Sequence, residues 1–138
     1  MEKKFASLKE KIAFEKTARA AKHESFAALY SKAQAVGFQA GETMTPHVMT
    51  VMDHTGAVIE RVSEGMCGFA SVIVRHANKG FGHWLITTGL ARKPYYGGAE
   101  IWIHSHNQSY ERKVAHAEAM VKLMRDAGIE AHVSSRLD

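Results

Sequence analysis

Apolar residues along the chain follow two rhythms in turn, helical first and then mostly β. From residue 2 to about residue 36 they recur at helical spacing: Phe5, Leu8 and Ile12, then Phe14, Ala18 and Ala21, then Phe26, Leu29, Tyr30 and Ala33. The background is rich in alanine, lysine and glutamate, with no proline before Pro46, and predicts one long helix. The stripe drifts and is broken at Glu15 and Arg19, so it lacks the strict heptad of a long coiled coil. Its lysine-rich first turns, Met1 to Ile12, are expected to protrude or fray. Ala33, Gly37 and Gly41 fall four apart. Either Gly37 closes the helix in the left-handed conformation, or the helix runs on with a small-residue stripe pressed against a neighbour. We place the end near Ala40.

Beyond Pro46 the spacing shortens. His47–Met52 and Ala57–Val62 are apolar-rich runs around Asp53-His54-Thr55-Gly56, the pattern of a β-hairpin, which Ser63-Glu64-Gly65 closes. Cys67–Arg75 is a nearly continuous β-favouring run, as a central strand requires. Asn78 suits the N-cap of a short helix, Lys79–Thr88, with Phe81, Trp84 and Leu85 on one side and Gly89 just past its end. Leu90–Lys93 reads as a short strand and Tyr95–Gly98 as a turn. In the returning strand Ala99–His104, Ile101 and Ile103 alternate with Glu100 and Trp102. Tyr110, Val114, Ala117, Val121 and Met124 form the clearest amphipathic stripe, ended by Gly128. Ile129–Ser134 reads as a last strand and Ser135–Asp138 as a tail.

This order, strand-helix-strand-strand-helix-strand, predicts an α+β chain with a ferredoxin-like βαββαβ core over residues 67–138, preceded by a helical arm (1–40) and a hairpin (41–66). If Leu90–Lys93 is only loop, the core becomes a three-stranded βαβαβ unit. The 138 residues suit one domain, with enough chain to bury a core without disulfides or metal.

Charge changes the picture through its distribution. The net is +4, but residues 1–40 and 67–113 are each basic, with an acidic stretch over 41–66 between them. Such a balance permits binding to a polyanion. The single cysteine, Cys67, excludes an internal disulfide and fits a reducing compartment. No run is apolar enough to span a bilayer, and the opening Met-Glu-Lys-Lys-Phe lacks a signal-peptide core. The expectation is a cytoplasmic protein without a membrane partner.

The candidate chemistry centres on residues 89–113. His104-Ser105-His106-Asn107 leads into a helix whose first turn carries Arg112 and Lys113, against the helix dipole, so a bound anion there would relieve the conflict. Arg92, Lys93, Tyr95 and Tyr96 enter from the adjacent loop, and cations interleaved with aromatics suit phosphates and stacked bases. The candidate nucleic-acid or anion site is therefore Arg92, Lys93, Tyr95, Tyr96, His104, His106, Asn107, Arg112 and Lys113. The plainer alternative has Ser105 or Asn107 capping the helix and the cations solvated. His104 and His106 share a side if the strand continues, a metal-ligand spacing, but no local third ligand supports a metal site. Cys67, in a strand, reads as a small buried hydrophobe rather than a nucleophile. Glu100 and Glu111 are the available carboxylates, with nothing in the sequence joining them. No P-loop, dinucleotide fingerprint or Gly-x-Ser-x-Gly occurs, so no catalytic residue and no cofactor is expected.

Met66-Cys67-Gly68-Phe69-Ala70, Trp84-Leu85, the run Tyr95-Tyr96-Gly97-Gly98-Ala99-Glu100-Ile101-Trp102, Asn107-Gln108-Ser109 with Lys113, and the terminal Ser135-Arg136-Leu137-Asp138 together resemble small accessory proteins encoded by tailed phages and prophages. The resemblance spans roughly residues 33–138. It implies the cytoplasm of an infected bacterium and an accessory or host-directed role, and it carries no functional residue with it. The expected activity is binding rather than catalysis, to nucleic acid or another polyanion. The alternatives are an inhibitor or adaptor on a host protein, anchored by the long helix or by exposed Trp102, Phe69 and tyrosines, and a small nucleotide binder or enzyme using His104 and His106. Self-association through the first helix is compatible with all three.

Overall fold

A computed structural model describes residues 7–138; the helical turns expected over residues 2–6 lie outside the described residues. Helix α1 runs Leu8–Thr43, with Ser7 accepting a hydrogen bond from the Glu10 amide as N-cap. It continues past the expected end because Gly37 and Gly41 lie inside it, not beyond it, and both are buried. The small-residue stripe Ala33-Gly37-Gly41 is its contact face.

The hairpin forms as expected from β1 (Met49–Met52) and β2 (Val58–Val62), and Asp53 holds the turn by accepting from the Thr55 and Ala57 amides. It makes a separate two-stranded sheet. The main sheet has three antiparallel strands in the order β4 (Ala99–Trp102), β3 (Gly68–Val74), β5 (Ala131–Leu137). Helix α2 (Gly80–Thr87) joins β3 to β4, and α3 (Tyr110–Asp126) joins β4 to β5. The protein is thus mixed α+β, with a long N-terminal helix and two small antiparallel sheets.

Several local expectations are corrected. Leu90–Lys93 is not a strand: only Arg92 pairs, as a single antiparallel bridge to Glu100, because the Tyr95–Gly98 turn leaves little chain to run alongside β4. Ser135–Asp138 is not a tail. β3 extends to Gly68 and offers pairing that carries β5 out to Leu137. Lys79 rather than Asn78 occupies the N-cap position of α2, and Ser109 rather than Ser105 or Asn107 that of α3, neither with a side-chain cap bond. Cys67 is exposed, since it precedes β3 and lies outside the buried strand.

Alternation along β3 decides which side chains meet. Ala70, Val72 and Val74 face Ile101, Ala99 and Ala131 across the strands, and with Ala117, Met120, Val121 and Met124 of α3 they form the core. α1 lies against this layer twice. Phe26 and Tyr30 pack their rings on Phe81 and Trp84 of α2 at centroid distances of 5.5–6.5 Å. Farther on, Gly37 makes room for His116; a Cβ there would lie 2.5 Å from the imidazole Cδ2. Among the described residues no helix is long and apolar enough to cross a membrane.

Candidate functional site

The other face of the main sheet has no helix on it. Its side chains follow from the register: Phe69 sits opposite Arg136, Ser71 lies between Trp102 and Ser134, and Ile73 lies between Glu100 and His132. The result is a broad open trough lined by Phe69, Ser71, Trp102, Ser134 and Arg136, with Arg92, Tyr95 and Tyr96 on its rim; it is part of a cavity of about 1080 Å³ that also reaches His104 and, from the helices, Tyr30, Gln34 and His116.

Phe69 and Trp102 form its aromatic floor, half-buried, with ring centroids 5.6 Å apart. Three cations surround them. Arg92 lies 5.6 Å from the Trp102 ring, and Arg136 and Lys113 lie 5.3 and 5.5 Å from the Phe69 ring. Lys113 starts on the core side of α3 and is only 5% exposed, yet its nitrogen is not among buried polar atoms lacking a partner. Its aliphatic stem is covered while the charge reaches the aromatic pair, as long basic side chains do. Lys93 is exposed, Tyr95 is fully exposed, and Tyr95 and Tyr96 meet edge to face at 5.4 Å.

Glu100 is the one carboxylate in this face, 3% exposed. It accepts from Arg92 Nε at 2.5 Å, Tyr96 Oη at 2.6 Å and Ser71 Oγ at 3.0 Å. Burial pushes its pKa up, but the bonds from Tyr96, Arg92 and Ser71 outweigh that and hold it below the usual carboxylate range. The same bond to Glu100, then burial, raises the Tyr96 phenol above its ordinary value. Glu100 therefore anchors the 92–96 loop over the sheet. With all three donors committed to it, it is a structural hub and not a free base.

Of the other expected site residues, His104 lines the trough and the rest go elsewhere. His104 and His106 do not share a side. The strand stops at Trp102, and left-handed backbone at His106 and Asn107 (φ 69° and 53°) turns the chain back. His104 is left exposed, whereas the His106 side chain is fully buried beneath α1. There it stacks on Phe38 and enters a polar chain: Glu42 Oε1 to His106 Nδ1 at 3.0 Å, His106 Nε2 to His116 Nδ1 at 2.9 Å, and His116 Nε2 to Gln34 Oε1 at 3.0 Å. Gln34 in turn donates to Tyr30 Oη. Because the Gln34 oxygen can only accept, His116 donates to it from Nε2 and accepts at Nδ1 from His106. A proton between His106 Nδ1 and Glu42 completes the chain.

Arg112 is also committed. Its Nε donates to Glu64 at 2.6 Å, and its Nη1 to the carbonyls of Gly41 and Glu42 at 2.9 and 2.8 Å. α1 has no basic residue in its own last turn. Arg112 supplies that charge from another element, which resolves the conflict with the α3 dipole without a bound anion. Glu111 binds the amide and ring of His47, far from the Glu100 cluster, so the two carboxylates do not form a pair. No three His, Cys, Asp or Glu side chains converge on a metal-sized site among the described residues.

Of the expected residues the trough thus keeps Arg92, Tyr95, Tyr96 and His104 in its lining, and Lys113 reaches it through the Phe69 ring, whereas Lys93, His106, Asn107 and Arg112 do not line it. It adds Phe69, Trp102 and Arg136. Trp102 and Phe69 were visible in sequence as candidate exposed anchors. Arg136 was hidden because a terminal Ser-Ser-Arg-Leu carries no strand signal of its own. Comparison with known proteins gives no match: no family model, no curated protein and no solved structure corresponds to the chain.

Proposed function

We propose that the protein binds single-stranded nucleic acid on the open face of its three-stranded sheet. One observation carries this reading: Phe69 and Trp102 lie side by side on adjacent strands, ringed by Arg92, Lys113 and Arg136. The face holds these three cations against the single carboxylate of Glu100. Flat aromatic and guanidinium groups stack on unpaired bases, and the cations contact phosphates. A base inside a duplex has no free face to offer such a floor. The same sheet-borne aromatics serve RNA-recognition modules.

The reading keeps the core as ferredoxin-like, with its second strand worn down to the Arg92 bridge. The order Arg92 bridge, β4, β3, β5 supports this. In the phage setting implied by the resemblance, such a protein would act on single strands exposed during infection.

The test is fluorescence anisotropy with labelled single- and double-stranded DNA and RNA, at low and moderate salt. Single strands should bind best, with affinity falling steeply as salt rises. Trp102→Ala and Phe69→Ala should each cost about 1–3 kcal/mol and leave the salt slope unchanged. Arg136→Gln should lower the slope by about one. An absence of binding at low salt sinks the proposal and moves the search to a protein partner.

A further inference from the structure

We propose that the chain forms a two-fold dimer in which the first half of α1 of each copy covers the β1–β2 hairpin of the other. Two parts of the molecule lack cover. All 18 residues of Leu8–Ser25 are exposed, including Leu8 and Ile12, whereas from Phe26 onward α1 packs its rings on α2. In the hairpin every residue of both strands is exposed except half-buried Val62. Its cross-strand pairs Met49–Val62 and Met52–Val58 nevertheless set apolar side chains opposite one another. A two-stranded hairpin is marginal in water without a third strand or a helix against its apolar face.

The two parts cannot satisfy each other within one chain. At a rise of about 1.5 Å per residue, α1 is about 54 Å long and its exposed first half about 27 Å. The hairpin leaves the opposite end of this helix, with five residues between Thr43 and Met49. Antiparallel apposition of two copies removes the mismatch, since each arm then lies beside the other copy's hairpin. The two contacts are identical, so the assembly closes at two copies.

Charge selects the same occupant. Residues 7–25 carry five lysines and arginines against three glutamates, for +2, whereas the hairpin 49–62 carries Asp53 and Glu60 against Arg61, for −1, Glu64 beyond it being paired with Arg112. The arm of a second copy therefore offers both the apolar side chains and the charge that the hairpin lacks. Arm against arm would set like charges together.

Sedimentation velocity on the full chain, over a range of concentrations and at low and high salt, reads the mass directly. The expected result is twice the 15.3 kDa chain mass at low salt, weakening as salt rises. Leu8→Glu with Ile12→Glu, at exposed positions that leave the core intact, should return the monomer, as should Val58→Glu. Zero-length carboxyl–amine cross-linking of the dimer should join arm lysines to Asp53 or Glu60 of the other copy. A monomer at every concentration overturns the proposal. So does a dimer indifferent to the arm substitutions, or one cross-linked only arm to arm.

Discussion

Acidification should loosen the α1–α3 contact through one residue, His116. Its side chain is buried between the helices, 1% exposed, and its pKa is lowered from 6.5 to about 4, by burial first and then by charge on neighbouring His106. The folded protein therefore binds this proton more weakly than the unfolded chain does. Above pH 6.5 neither state holds it, and there is no effect. As pH falls from 6.5 to 4 the unfolded chain gains a proton that the folded one refuses, and stability drops. A gap of about 2.5 units at about 1.36 kcal/mol each gives a loss of about 3 kcal/mol, a large share of an ordinary domain's stability. Structurally, a second proton on His116 would turn its Nδ1 from acceptor to donor, against the His106 Nε2 donor.

Urea unfolding at half-unit steps between pH 7 and 4 measures the slope. The His116→Gln variant, starting from lower stability, should show a flatter curve over the same window. Histidine-resolved NMR titration should find one ring still neutral at pH 5. A His116 that titrates near 6.5, or a His116→Gln protein with the wild-type slope, would refute the reasoning. Between pH 7 and about 5 the carboxylates do not contribute to the slope, and the comparison is made there. Glu100, Glu111, Glu130 and Asp53 have lowered values, so the stability they contribute is present above the ordinary carboxylate pKa and is lost as pH falls from there through their folded values.

Other substitutions separate the parts of the fold. Gly37→Ala should destabilise by about 1–3 kcal/mol in thermal melts, although alanine is the better helix former, because its Cβ would meet His116 and Met120 Cγ. Arg112→Gln should lower the melting temperature by a few degrees, since it strips the α1 carbonyls and Glu64 of a charged donor. Glu100→Gln should free the 92–96 loop, read as faster amide exchange there. It should also tighten binding of single strands, by removing the only negative charge in the trough.

Much of this protein is legible in its sequence because the signals are local. The α3 stripe, the hairpin turn at Asp53–Gly56, the continuous β3 run and the Gly97-Gly98 turn each depend on a few neighbouring residues, and those elements form where the spacing puts them. The small-residue stripe of α1 was also visible, though not which of its two meanings applied. A glycine at a helix end and a glycine under a crossing side chain look alike until the partner is known, and the partner, His116, lies 79 positions away.

The site was decided by tertiary structure. Sequence spacing grouped Arg112, His106 and Asn107 with Arg92 and Tyr96 because they are neighbours along the chain. The reversal at His106 and Asn107 sends His106 and Arg112 instead to the end of α1 and leaves Asn107 exposed. Pairing across β3 brings Phe69, Trp102 and Arg136 together from residues up to 67 positions apart, a relation that register alone creates. Periodicity reports which residues share a face of their own element. Which faces meet, and which face stays open, depends on how the elements pack.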